Sequence, residues 1–420
     1  MKKASIISIG NELLSGQTVS TNAQYLSRKL LSIGIPVVSS YTFADEIDSI
    51  VRAFDLASAD ADVVLATGGL GPTDDDLTRQ ALAEFLGVEL KVQNELLEKI
   101  EKFFTDRNVQ MPVKNKIQAC IPAGAKALVN NRGTAPGIMA EVKGRAPTKR
   151  GPKLLFALPG VPAEMKRMFE ESVLPELERF AGGQAVVVRK VKCFGAGEST
   201  IAGLLGQLMQ RGRNPQINST PKRGVITLHI IATAENRDKA EQMAAKDEKL
   251  LRGKLGELVY GTAEQSLAEV VGEKLARQKK TVAVAESCTG GCLAKLLTDI
   301  PGASRYFTHG WVTYSNDAKR SELGVPADLI EKHGAVSEQI AQAMARGARK
   351  KAGTDFAIGI TGIAGPSGGT EQKPVGLVYI SVDDDRGCDT RRCLFPQDRQ
   401  SIRLRAAQTA LNMLRLKLNI

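Results

Sequence analysis

Two rhythms of apolar and polar positions alternate along this chain. Short, mostly apolar runs stand at Ala4–Ile9, Asp62–Thr67 and Lys153–Leu158. Between them apolar residues recur every three or four positions, as at 77, 81, 82, 85 and 86. The first rhythm is that of strands covered on both faces, and the second that of amphipathic helices. Thr21–Leu31, with Asn22 near its start, and Leu77–Leu86 are the predicted helices, and Lys153–Leu158 ends at Pro159-Gly160. Strand and helix in alternation predict an α/β domain with a parallel, doubly wound sheet over residues 1–175. Val186–Phe194 and Gly224–Ala232 read as strands and Asp238–Leu251 as a charged helix, a small α+β domain over 176–258. A boundary near Val259–Thr262 opens an α/β domain over 259–420. It carries a helix at Glu264–Arg277, strands at Thr281–Ala285, Gly310–Tyr314, Asp355–Ile360 and Val375–Val382, a helix at Ser337–Lys350 with Ser337 as N-cap, and a long helix after Gln397.

Composition narrows the classes. The chain has 420 residues, six cysteines and a formal charge of +11. No run of about eighteen apolar residues exists, so no membrane span is expected. The opening apolar segment is too short for a secretion signal, and cysteines without one point to reduced thiols in a cytoplasm. Much of the positive charge lies between Lys143 and Lys153 and after Arg386. It is not interleaved with aromatic residues as a stacking groove would require, so nucleic acid is not an expected partner. Gly144–Pro152 reads as a basic surface loop.

The candidate chemistry begins at Ala285-Glu286-Ser287-Cys288-Thr289-Gly290-Gly291. A hydroxyl between a strand and a following helix, beside free backbone N–H groups, is how an acyl-transfer nucleophile and its oxyanion hole are built. A serine needs a base. The three histidines, His229, His309 and His333, stand in no hydrolase-like signature. Lys319, in Tyr314-Ser315-Asn316-Asp317-Ala318-Lys319, is the other candidate, since a desolvated lysine loses its proton readily. A lysine after a strand is more often a solvated charge, and Cys288 is a rival nucleophile. Cys288 and Cys292 lack a second pair that would complete a zinc site.

A second constellation, Thr67-Gly68-Gly69-Leu70-Gly71-Pro72-Thr73-Asp74-Asp75-Asp76, follows a strand and opens a helix. Glycines let backbone N–H groups approach a phosphate, and the acids could hold a hard divalent cation. A tight turn with acidic capping residues accounts for the same pattern.

These segments carry a resemblance. Ala285 to Gly291, Val312-Thr313-Tyr314-Ser315-Asn316 through Lys319, His333-Gly334-Ala335-Val336-Ser337 and Gly362-Ile363-Ala364-Gly365-Pro366 occur in this order in the C-terminal domain of the CinA family. Gly10-Asn11-Glu12-Leu13-Leu14, Thr21-Asn22-Ala23, Asn131 to Gly137 and Leu158 to Met165 resemble its molybdopterin-binding-like N-terminal domain. Phe194 to Ser199 and Asn214-Pro215 resemble its KH-like middle domain. The resemblance implies deamidation of nicotinamide mononucleotide without a cofactor, with Ser287 as nucleophile, Lys319 as base and Tyr314 orienting the pair or the pyridine ring. Cys288, Thr289, Gly290 and Gly291 would form the oxyanion turn. Asn316, Thr361, Gly362 and Arg399 would complete the substrate side, Thr361 and Gly362 from the second glycine-rich loop and Arg399 or Arg392 by meeting the phosphate.

For the first domain the resemblance implies a metal-dependent ADP-ribose pyrophosphatase. Gly68, Gly69, Gly71, Asn22, Gly133 and Thr134 would face the phosphates, and Asp75, Asp76, Glu12 and Glu164 a divalent metal. Asn11 stands where many relatives carry Asp. The alternative is a catalytic C-terminal domain with a nucleotide-binding or dimerising first domain. Glycine-rich modules pair about symmetry axes, so a homodimer is expected.

Overall fold

The structure is a computed structural model that describes residues 2–142, 153–183 and 185–419. The basic segment 144–152 lies outside the described residues. The chain divides into two compact units, Met1–Val187 with Ala232–Met243 and Val188–Ile231 with Ala244–Ile420.

The first unit is built on β1 (Ala4–Ile9), β2 (Val37–Phe43) and β3 (Val63–Thr67). A separate ribbon pairs β4 (Leu90–Val92) with β5 (Cys120–Pro122). β6 (Lys126–Leu128), β7 (Gly137–Val142) and β8 (Lys153–Leu158) complete a six-stranded sheet in the order β2-β1-β3-β8-β7-β6. The four strands from β2 to β8 are parallel; β7 and β6 run antiparallel. The expected parallel sheet is therefore mixed at one edge, where β7 pairs antiparallel with both β8 and β6. Alternation along β1, β3 and β8 explains their apolar runs. Ile7, Ile9, Val64, Ala66, Leu155 and Ala157 face one core with Phe54 and Phe85, while Ala4, Ile6, Val63, Leu65, Leu154 and Phe156 face the other with Leu26, Leu30 and Met165. Both faces are covered, which is the doubly wound arrangement.

A four-stranded sheet, in the order β10-β11-β9-β12, joins β9 (Ala185–Cys193), β10 (Gln216–Lys222), β11 (Val225–Ala234) and β12 (Val259–Thr262). The residues near the expected boundary, Val259–Thr262, are thus a strand paired antiparallel with β9. The remaining sheet, β14-β13-β15-β16-β17, holds β13 (Val282–Glu286), β14 (Phe307–Val312), β15 (Phe356–Gly362), β16 (Leu377–Asp384) and β17 (Gly387–Leu394). β14, β13 and β15 are parallel, and β16 and β17 antiparallel. The helices Leu267–Gln278 and Arg399–Lys417 pack on one face, and Glu338–Ala352 on the other. Among the described residues no helix is long and apolar enough to cross a membrane.

Candidate active site

β13 is the central parallel strand between β14 and β15, and Ser287 emerges from its C-terminal end. That end of a parallel strand is where ligands meet open α/β sheets. The turn from Ser287 leads into the helix Cys292–Thr298, with Gly290 and Gly291 at φ +58 and +86. Such backbone is strained for any residue with a Cβ. From the neighbouring strand β14 the chain passes through Thr313–Ser315 into the helix Asn316–Leu323, which Ser315 caps by accepting the Ala318 N–H. Lys319 stands one turn inside this helix and reaches back under its start.

The two segments bring the expected pair together. Lys319 Nζ lies 3.1 Å from Ser287 Oγ and 2.9 Å from the Thr313 carbonyl, with the Tyr314 and Ser315 carbonyls each at 3.4 Å. Lys319 is 1 % and Ser287 8 % exposed. Burial holds the Lys319 amine below the usual lysine range. It also pushes the neighbouring Cys288 thiol up to about 12, so the rival nucleophile is kept as a thiol. His309 stacks on Trp311 at 5.3 Å between ring centres, and the His333 backbone carbonyl accepts from Lys373.

Around the pair, the N–H of Ser287 donates to the Ile360 carbonyl and that of Gly290 to the Ser287 carbonyl. The amides of Thr289 and Gly291 donate to no carbonyl among the described residues, and open amides are what an oxyanion requires. Tyr314 is 60 % exposed, and its hydroxyl accepts from Arg399, which also donates to Gly365. Asn316 is exposed in the first turn of its helix. Thr361 and Gly362 belong to β15 rather than to the loop after it, because ladder pairing with β16 continues through Thr361–Tyr379 and Gly362–Val378. The Thr361 hydroxyl donates to the Ala335 carbonyl.

Two residues of this site went unnoticed in the sequence. Glu286 is a fully buried carboxylate. Arg403 donates to the Thr289 carbonyl through Nε at 2.9 Å and Nη2 at 2.8 Å. Its signal was the four-residue spacing from Arg399, which puts both on one helix face.

In the first unit a cleft of about 460 Å³ is lined by Glu12, Asp45, Gly68, Gly69, Gly71, Asp75, Asp76, Thr134 and Glu164, among others. Asn22 and Gly133 do not line it: Asn22 donates to the Gly160 carbonyl, and Gly133 to the Asn130 side chain. A Cβ on Gly68 would lie 2.2 Å from the Ile9 carbonyl, so only glycine allows this approach. Asp45 was not anticipated. Burial, with Glu12, Asp75 and Asp76 nearby, raises its carboxyl against the opposing effect of the Asn11 N–H. The acids do not form a ready cation site. Asp76 is engaged by Thr73 and Glu164 by Asn130. Among the described residues no three His, Cys, Asp or Glu side chains stand together as metal ligands.

Three domain families match the chain. Residues 5–179 match a probable molybdopterin binding domain, 188–261 the KH domain of damage-inducible protein CinA, and 264–418 the CinA C-terminal domain. A competence-damage inducible protein of Caldicellulosiruptor bescii is 43% identical over 415 residues, 99% of each chain. A CinA-like protein of Kosmotoga olearia is 43% identical over 414 residues, 98% of each chain. The crystal structure of competence/damage inducible protein CihA from Agrobacterium tumefaciens is 42% identical, covers 37% of this chain and 94% of its own, and has a TM-score of 0.36.

Proposed function

The chain belongs to the CinA family, and on that premise we propose that its C-terminal domain is a serine–lysine amidase that converts nicotinamide mononucleotide and water to nicotinate mononucleotide and ammonia. The observation that carries this reading is the buried approach of Lys319 Nζ to Ser287 Oγ at 3.1 Å.

Desolvation favours the neutral amine, whose lone pair takes the Ser287 proton as Oγ bonds to the carboxamide carbon. The carbonyl π electrons move onto oxygen, and the amides of Thr289 and Gly291 stabilise the charge. When the tetrahedral intermediate collapses, the C–N bond breaks and the Lys319 ammonium gives its proton to the departing nitrogen, which leaves as ammonia. Water then adds to the acyl-enzyme with Lys319 again as base. The acid is released and the Ser287 hydroxyl restored. Every step uses groups of the chain, substrate and water. Ammonia release by the purified full-length protein tests the proposal: steady turnover of nicotinamide mononucleotide is expected, and its absence returns the family's domains to a binding role.

A second reading gives the first domain an ADP-ribose pyrophosphatase activity assisted by a divalent cation. It is favoured by the gathering of Gly68, Gly69, Gly71, Thr134 and four expected carboxylates on one cleft. The acids there form no ready ligand set among the described residues. AMP formation from ADP-ribose, with and without added divalent cation, separates this reading from a first domain that only binds nucleotide or dimerises. A homodimer in a reducing cytoplasm belongs to the same proposal; the six unpaired cysteines are in keeping with such a compartment.

A further inference from the structure

The residue before the nucleophile, Glu286, has no solvent exposure. A buried carboxylate is tolerated when both oxygens are hydrogen-bonded. Glu286 meets this condition: Oε2 accepts the Leu293 N–H at 3.0 Å and Oε1 the Ala294 N–H at 2.8 Å. These are consecutive amides in the first turn of the helix Cys292–Thr298. The N-cap position of that helix is Gly291, which has no side chain to offer. Capping therefore comes from across the turn, from the last residue of β13.

This arrangement has two effects on the site. The first-turn amides that would attract an anion are already engaged, so donors to an oxyanion must come from the turn itself. The carboxylate also ties the end of the strand to the start of the helix. The Ser287–Gly291 turn, which its two glycines would leave loose, is closed on that side by Glu286. Arg403 holds its other side at the Thr289 carbonyl.

We infer that Glu286 is a positioning residue for the amidase reaction: its grip on the amides of Leu293 and Ala294 holds the Ser287 hydroxyl and the amides of Thr289 and Gly291 in register for attack. It acts through the turn and not on the base, since Lys319 is held by Ser287 and three backbone carbonyls. The inference rests on the amidase reading above.

The test compares full-length wild type, Glu286→Gln and Ala294→Pro. Glu286→Gln replaces one accepting oxygen by a donor. Ala294→Pro deletes one of the two amides and leaves the carboxylate intact, in the first turn, where the lost N–H has no partner within the helix. Ammonia release from nicotinamide mononucleotide is followed between about pH 6 and 10, with Tm measured alongside. Both variants should lose about tenfold or more in kcat, with KM within about twofold and the pH midpoint of kcat unmoved. Unchanged kcat, a rise in KM alone, a displaced pH midpoint, or a loss in Glu286→Gln with none in Ala294→Pro overturns the inference. If Glu286→Gln does not fold, Ala294→Pro decides by the same criteria. A wild type without turnover removes the amidase reading and this inference with it, whereas an active wild type with unimpaired variants removes this inference alone.

Discussion

Arg399 donates a hydrogen bond of 3.0 Å to the hydroxyl of Tyr314, tethering at its tip a ring that is otherwise exposed. A tethered aromatic ring offers its face to a flat heterocycle at little entropic cost. Tyr314→Phe keeps the ring and loses the tether, and should reduce kcat/KM by less than about tenfold, whereas Tyr314→Ala should raise KM by more. Arg399→Ala, compared on the mononucleotide and its dephosphorylated nucleoside, shows whether the arginine also meets the phosphate: a loss confined to the mononucleotide is expected. Equal losses on both substrates would limit Arg399 to holding Tyr314 and Gly365.

Ser287 and Cys288 are adjacent, and their surroundings separate their roles. Ser287 has a base within reach, and burial keeps the Cys288 thiol protonated. Ser287→Ala should abolish ammonia release, while Cys288→Ala should retain at least roughly half of it. The reverse pattern in steady-state assays would transfer the nucleophile to sulfur.

The burial that lowers the Lys319 pKa fixes the sign of the pH response. The reaction needs the neutral amine. Its fraction falls as pH drops through the folded-state pKa, so kcat should decline on the acid side with a midpoint below the ordinary lysine range. Lys319→Arg stays protonated and should be inactive across the whole range. A pH profile of kcat for the two proteins checks both statements.

Arg79 presents an opposite case, a buried cation with little to hold it. It has no solvent exposure, and Nη2 donates to the Leu70 carbonyl, but Nε and Nη1 have no partner among the described residues. Burial brings its pKa down to about 10. Replacing an ill-paired buried charge by an apolar side chain of similar length is often neutral or stabilising, so Arg79→Met should raise unfolding stability by about 1 kcal/mol or more. Denaturant unfolding measures it. A lower midpoint would mean that support of the glycine-rich loop outweighs the cost of burial.

Much of this fold was readable because apolar runs mark strands covered on both sides, as in β1, β3, β8 and β13. β17 was not readable: Gly-Cys-Asp-Thr-Arg-Arg-Cys-Leu carries too little apolar pattern for an edge strand to stand out. Strand direction was also hidden, since period two is the same for the parallel β8 and the antiparallel β7. Ser287 and Lys319 were legible as a motif and a nearby amine, and the fold supplies the distance between them. Glu286 was not, because a carboxylate at the end of an apolar run reads as the start of a loop until its two amide partners are seen. Asp45 sits among no recognisable motif and joins the cleft only through folding.

The helix Arg399–Lys417 is a rod of about 28 Å whose head bears Arg399 and Arg403 beside the turn of Ser287. Its foot bears Arg415, 4 % exposed, which donates to the carbonyls of Glu257 and Val259 and to the Asn412 side chain. Those carbonyls lie at and just before β12, the last strand of the preceding four-stranded sheet. A chain cut at the junction that follows would keep every proposed catalytic group and still strand a guanidinium in the interior without its two backbone anchors. The mooring of the proposed chemistry therefore lies upstream of the domain to which it is assigned.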